Sequence, residues 1–264
     1  MLEQSDFISL YQNLKIDIEK PLRQVCPSRN LCWPEGIDTE NGYGITDPFI
    51  GKYYDQHKIL FVAMNFRGFG EIDGFGILIE PEMDNPDFVG VTEQLLAGKM
   101  KVFKSEDYGG TMLFYGIAAT AACLLQNMEH EKFRMPADKS VAPAPAELAD
   151  AFNYISIVQL VKCSPDEQNR NNPYSNMFIE CPKLLLSKEL DLLKPEIIVL
   201  LGDSVYYSFP GIDNFKEQYR NDYVWKYEND KKQKLLSVYH PAANNMQSAA
   251  NREKYFKELR ELKI

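Results

Sequence analysis

Three groups of residues in this chain have the types and spacing to do chemistry. His240, in the segment VYHPAANN, is one of only three histidines, and it falls where an apolar run ends. An imidazole there can donate to a bound group as negative charge develops on it, or simply cap a strand end. Asn65, in AMNFRGFGE, follows another apolar run. Its amide can orient a water or contact a base, and Gly68 and Gly70 let backbone come close to a ligand. The glycine spacing is not that of a dinucleotide-binding GxGxxG loop.

The third group is the cysteines. Cys26, Cys32, Cys163 and Cys181 are candidates for a four-thiolate site, which suits an iron–sulfur cluster or zinc. The CPSRNLC pair lacks the tight two-residue gap of many such sites, so unrelated thiols stay open as a reading on spacing alone. Cys123, within AATAACLL, reads as a packed core residue.

Four buried strands are needed to bring these groups together. KILFVAMNF (Lys58–Phe66), YISIVQLVKC (Tyr154–Cys163), EIIVLLGD (Glu196–Asp203) and KLLSVYHP (Lys234–Pro241) are short, nearly continuous apolar runs. Such runs are expected where both faces of a strand are covered. Helical patterns alternate with them over Thr111–Met128, Ser175–Leu193 with a Ser cap, and Met246–Leu262. Alternation of this kind predicts a three-layer α/β/α domain around a four-stranded parallel sheet. In such folds ligands bind beyond the carboxyl ends of the strands. Asn65, Lys162, Cys163, Gly202 and His240 all fall at those ends.

The chain's 264 residues are read as one domain over 1–264, with an N-terminal amphipathic helix over 4–20 and an insertion around 68–110. A hydrophobic content of 45% and a charged content of 25% are ordinary for a globular protein. A net charge of −9 argues against a protein that coats nucleic acid nonspecifically, though not against a local basic cleft. No apolar run approaches the length of a membrane span, and the N-terminal helix lacks the basic start and unbroken apolar core of a signal peptide. Five cysteines, an odd number, fit a reducing cytoplasm. A monomer without membrane contact is expected.

Taken in order, these segments resemble the uracil-DNA glycosylase superfamily, particularly its iron–sulfur branch. The run LVKCSPDEQNRNNP followed by FIECPKLLLSKELDLLKPEIIVLLGDS carries the likeness over Leu160–Ser204. Its marks are a Val-Lys-Cys strand end, a loop with Asn-Arg and Pro, a Cys-Pro helix start, and an apolar strand ending in Leu-Gly. AMNFRGFGE looks like the first active-site motif of single-strand-selective and mismatch-specific members, and HPAANN like their second. The resemblance implies a DNA glycosylase acting on uracil or a related damaged base. It implies that Asn65 orients the attacking water or supports the departing base, and that His240 bonds the base carbonyl that gains charge.

By the same resemblance Met64, Phe66, Phe114 and Gln159 line the base pocket. Lys162, Arg170, Asn244 and Asn245 contact DNA, and Met246 is a wedge that unstacks a base step. Cys26, Cys32, Cys163 and Cys181 hold a structural [4Fe–4S] cluster. The chain departs from the family pattern at Gln159, where asparagine is usual. Glutamine keeps the amide and lengthens the arm, which alters pocket depth or the base read. Phe66-Arg67 replaces Pro-Gly, and Ala242 replaces serine. The Cys26–Cys32 spacing is longer than expected. Two other classes fit the same residues: a silent nucleic-acid binder using Lys162 and Arg170, and a small-molecule enzyme on the same frame.

Overall fold

A computed structural model describes residues 4–16, 29–32, 48–64, 112–133, 150–162, 173–241 and 248–262, with Leu2, Leu148, Ala243, Met246 and Ile264. The insertion around 68–110 lies outside the described residues.

The four expected strands are all present, and they are neighbours. They are β2 (Ile59–Ala63), β3 (Ile155–Gln159), β4 (Ile197–Leu201) and β7 (Lys234–Val238). All three pairings between them are parallel, in the order β3-β2-β4-β7. Each strand stops earlier than its apolar run suggested. Past β4 the chain leaves the ladder at Gly202 and enters the helix Asp203–Ser208.

The sheet has seven strands, not four. A two-residue β1 (Phe49–Ile50) lies antiparallel on the outer side of β3. A hairpin of β5 (Phe215–Arg220) and β6 (Val224–Asn229) extends the other edge through an antiparallel β6–β7 pairing. Neither hairpin strand is a continuous apolar run: three polar residues separate Phe215 from Tyr219 in FKEQYR, and Lys226 and Glu228 interrupt VWKYEN. Its outer strand, β5, is largely exposed. Lys216, Glu217 and Arg220 on that strand discourage edge-to-edge pairing with another chain.

Side-chain alternation along the strands sorts the core into two layers. Ile59, Phe61 and Ala63 pack with α4 (Met112–Asn127) and α8 (Ala249–Glu261). Leu60 and Val62 pack on the opposite face with α1 (Gln4–Asn13), α6 (Ser187–Leu193) and α7 (Asp203–Ser208). Three further helices, α2 (Arg29–Cys32), α3 (Tyr54–His57) and α5 (Met177–Cys181), are short. The result is the expected three-layer α/β/α arrangement. No described helix is long and apolar enough to cross a membrane.

Local sequence explains the helix boundaries. The described helix α1 ends at Asn13, short of residue 20, and Lys15 adopts the left-handed conformation at φ 60°. Between α5 and α6 the chain runs as a π-helical stretch, Pro182–Leu186. Pro182 has no N–H to give to the preceding turn, so the hydrogen-bond ladder is interrupted there. The expected serine cap of α5 is absent: Asn176 occupies the N-cap without a side-chain bond. Helix α8 does have one, Ser248 Oγ accepting from Asn251 N at 3.1 Å. Helices α4 and α8 are tied by a 2.7 Å bond between Thr120 Oγ1 and the Tyr255 hydroxyl. Asn127 Nδ2 donates to Leu259 O at 2.8 Å.

At the amino ends of the strands His57 and His130 lie with ring centroids 5.5 Å apart, and each packs on Tyr154. Burial, and then the neighbouring His130, hold the His57 pKa below its ordinary value of 6.5. Above that value both folded and unfolded chains are neutral at His57, and the shift costs nothing. As pH falls through 6.5 the unfolded chain takes a proton that the folded one resists, so stability drops. Melting temperature should therefore fall less between pH 7 and pH 5.5 in His57→Gln than in the wild type. Equal slopes would show that this pair does not couple folding to pH.

Candidate functional site

Continuation of the ladder beyond β2 and β3 builds the first half of the site. Leu160 N donates to Ala63 O at 2.8 Å, and Val161 N donates to Met64 O at 2.9 Å. These bonds hold the two strand ends side by side past their last paired residues, Ala63 and Gln159. Met64 is half-buried here.

The second half comes from β4, β7 and the start of α4. Gly202 ends β4 with φ 95° and ψ 164°, a conformation that essentially only glycine adopts. Its N–H donates to Val238 O at 2.9 Å, and a Cβ placed on it would stand 3.2 Å from His240 Cβ. Half-buried His240 therefore sits directly over the end of β4. Its carbonyl accepts from Ala243 N at 2.9 Å, closing the HPAA turn. Pro241 is buried against Gly116 of α4, where an added Cβ would come within 2.1 Å of Pro241 Cβ. Thus the GGTMLFYG helix start and the HPAANN turn meet, as their expected roles in one site require.

Gln159 closes β3 with 1% exposure, and neither amide atom has a hydrogen-bond partner among the described residues. It has the strand parity of Ile155 and Ile157, which face the α4 layer. A buried amide with both its donor and acceptor unused is uncommon and calls for a ligand or water. Phe114 lies in the first turn of α4, with its side chain outside the described set. Asn65, Phe66, Arg170, Asn244 and Asn245 also lie outside the described residues.

Two expected DNA contacts are placed elsewhere. Lys162 does not reach out to a phosphate. Its side chain is fully buried, with Nζ 2.5 Å from Glu189 Oε2, and the second oxygen of Glu189 accepts from the Tyr11 hydroxyl at 2.5 Å. A carboxylate enclosed on α6 needs a cation, and Lys162 supplies it. Met246 is not an exposed wedge: it is 3% exposed and packs in the α4–α8 core layer, where an apolar side chain gains more than in water.

For the thiols, Cys32 on α2 and Cys181 at the end of α5 are both buried and share one small cluster with Val161 and Met177. Val161, a member of that cluster, stands two residues before Cys163 in the sequence. Cys26 and Cys163 themselves lie outside the described residues. Among the described residues no three His, Cys, Asp or Glu side chains are grouped as metal ligands. Cys123 is a core residue as expected, and burial pushes its thiol pKa up to about 12.

Glu189, Tyr11 and Gly116 did not stand out in the sequence. Glu189 left one trace: at helical spacing from Leu185 and Leu186 it is a charge on an apolar stripe, which a solvated helix face would not place there.

A search of curated proteins finds no match. The family model for the Uracil DNA glycosylase superfamily matches residues 106–262. That span is more than half of the chain and contains α4, the central strands β3, β4 and β7, Gln159, Gly202 and His240. With its three-layer fold and its strand-end site, the chain belongs to the uracil DNA glycosylase superfamily.

Proposed function

We propose that the protein is a DNA glycosylase that hydrolyses the N-glycosidic bond of uracil or a related damaged base. The observation that carries this reading is the Gln159 amide, buried and unpartnered at the strand end beside Met64. An amide presents a donor and an acceptor side by side, which suits the paired donor and acceptor on the edge of a pyrimidine base. Such a base reaches the pocket only after leaving the helical stack.

In this reading Gln159 pairs with the base edge, and Met64, Phe66 and Phe114 wall or stack on the ring. His240 donates to the carbonyl oxygen that gains negative charge as the bond to the sugar breaks. Asn65 orients the water whose oxygen bonds to the sugar carbon, while the base leaves and takes up a proton. Arg170, Asn244 and Asn245 are the remaining candidates for DNA contact. The burial of Lys162 removes one phosphate contact from the alternative of a silent DNA binder. A reducing cytoplasm fits the odd number of cysteines, and the protein works as a monomer in this reading.

Cys26, Cys32, Cys163 and Cys181 would hold a [4Fe–4S] cluster of structural purpose. The shared burial of Cys32 and Cys181 beside Val161 is the support for it. The cluster takes no part in the hydrolytic steps.

A uracil-containing oligonucleotide, single- and double-stranded, tests the activity. Wild type should yield abasic product, and His240→Ala should slow it by about 10²–10³-fold. Gln159→Leu should lose activity on uracil while keeping the fold. Absence of abasic product from wild type across uracil and other damaged bases would sink the reading. A separate measurement addresses the thiols: anaerobically purified protein should be brown, with visible absorbance lost in Cys181→Ala. A colourless, zinc-containing protein would overturn the cluster.

A further inference from the structure

The Lys162–Glu189–Tyr11 trio joins three elements that are far apart in sequence. Lys162 follows β3, Glu189 lies in the middle of α6, and Tyr11 comes from α1, 178 residues from Glu189. The Lys162 and Glu189 side chains are 0% exposed, and Tyr11 is 0% exposed as a residue. Removing two charges from water is expensive, and apolar side chains of similar volume often serve stability as well or better. What an ion pair adds over an apolar contact is a fixed direction and distance.

Here that direction matters because of where Lys162 sits. It comes three residues after Gln159 and directly after Leu160 and Val161, whose N–H groups hold the end of β2 at Ala63 and Met64. Among the described residues those two bonds are the backbone pairing that continues past Gln159, and Lys162 comes directly after them. We propose that Lys162, Glu189 and Tyr11 form an internal strut that positions the strand ends carrying Gln159 and Met64. Helix α1, which lies outside the span matched to the family, is then a working part of the site. All three are positioning residues; none touches the substrate in this scheme.

The consequence for activity rests on the proposed glycosylase reading, whereas the positioning itself can be measured without substrate. An apolar version, Lys162→Met with Glu189→Leu, should fold with a melting temperature close to wild type. Its amide hydrogen exchange should rise about tenfold or more at Leu160 and Val161, and stay unchanged at Ile157 and Val158. Tyr11→Phe, which keeps the packing and loses one bond to a charged group, should give the same local rise at about tenfold or less. If uracil excision is present in wild type, kcat should fall in both variants while KM changes little.

Unchanged protection at Leu160 and Val161 in either folded variant would overturn the strut. If the apolar pair does not fold, Tyr11→Phe decides. Loss of protection in a protein that excises no base would uphold the strut and count only against the glycosylase reading. Lost protection with undiminished kcat would overturn the link between strut and site.

Discussion

Strand β2 bears the rest of the molecule. All five of its residues pair with β3 on one side, Ile59 to Val62 also pair with β4 on the other, and none is more than 1% exposed. The two registers start at the same residue, with Ile59 opposite both Ile155 and Ile197. Equal starts and equal lengths bring the carboxyl ends of three strands to one level. Because side chains alternate, the same five residues also face both helical layers. Burying each large one stabilises the fold by about 1.5–3 kcal/mol. A charge at Ile59, Phe61 or Ala63 would disturb the α4–α8 layer, and one at Leu60 or Val62 the opposite layer.

Above that floor the molecule pays unusually for polarity. Gln159 forgoes hydrogen bonds at the end of β3, and a few residues on, Lys162 and Glu189 are enclosed together. An apolar core would avoid both costs, so their clustering at one strand end marks a place where geometry outweighs stability. At the opposite end of the sheet the aromatic ring contacts of Tyr154, His57 and His130 fill the space, beside the Lys132–Asp150 ion pair.

The central frame was legible in the sequence because its physics is local. Strands covered on both faces must be apolar throughout, and four such runs can be seen without knowing their neighbours. The β5–β6 hairpin was not legible, since charged residues interrupt both segments and leave neither a continuous apolar run nor a strict alternation. The position of the site at the strand ends, with Gly202 and His240 adjoining, also followed from the runs. The fates of Lys162 and Met246 did not. Each depends on a partner that only the folded chain supplies: Glu189 and Tyr11 for one, the α4–α8 layer for the other. A lysine at a strand end reads as exposed until the carboxylate that captures it is known.

The contact of Gly116 with Pro241 has a mechanical meaning. With no side chain between them, the start of α4 and the end of β7 cannot slide or part without losing tight packing. The Thr120–Tyr255 and Asn127–Leu259 bonds fasten the same helix to α8. Helices α4 and α8 and the His240 turn therefore move as one block. Across the site, two backbone bonds join Ala63 and Met64 to the segment after Gln159, so the two walls are held by separate sets of contacts.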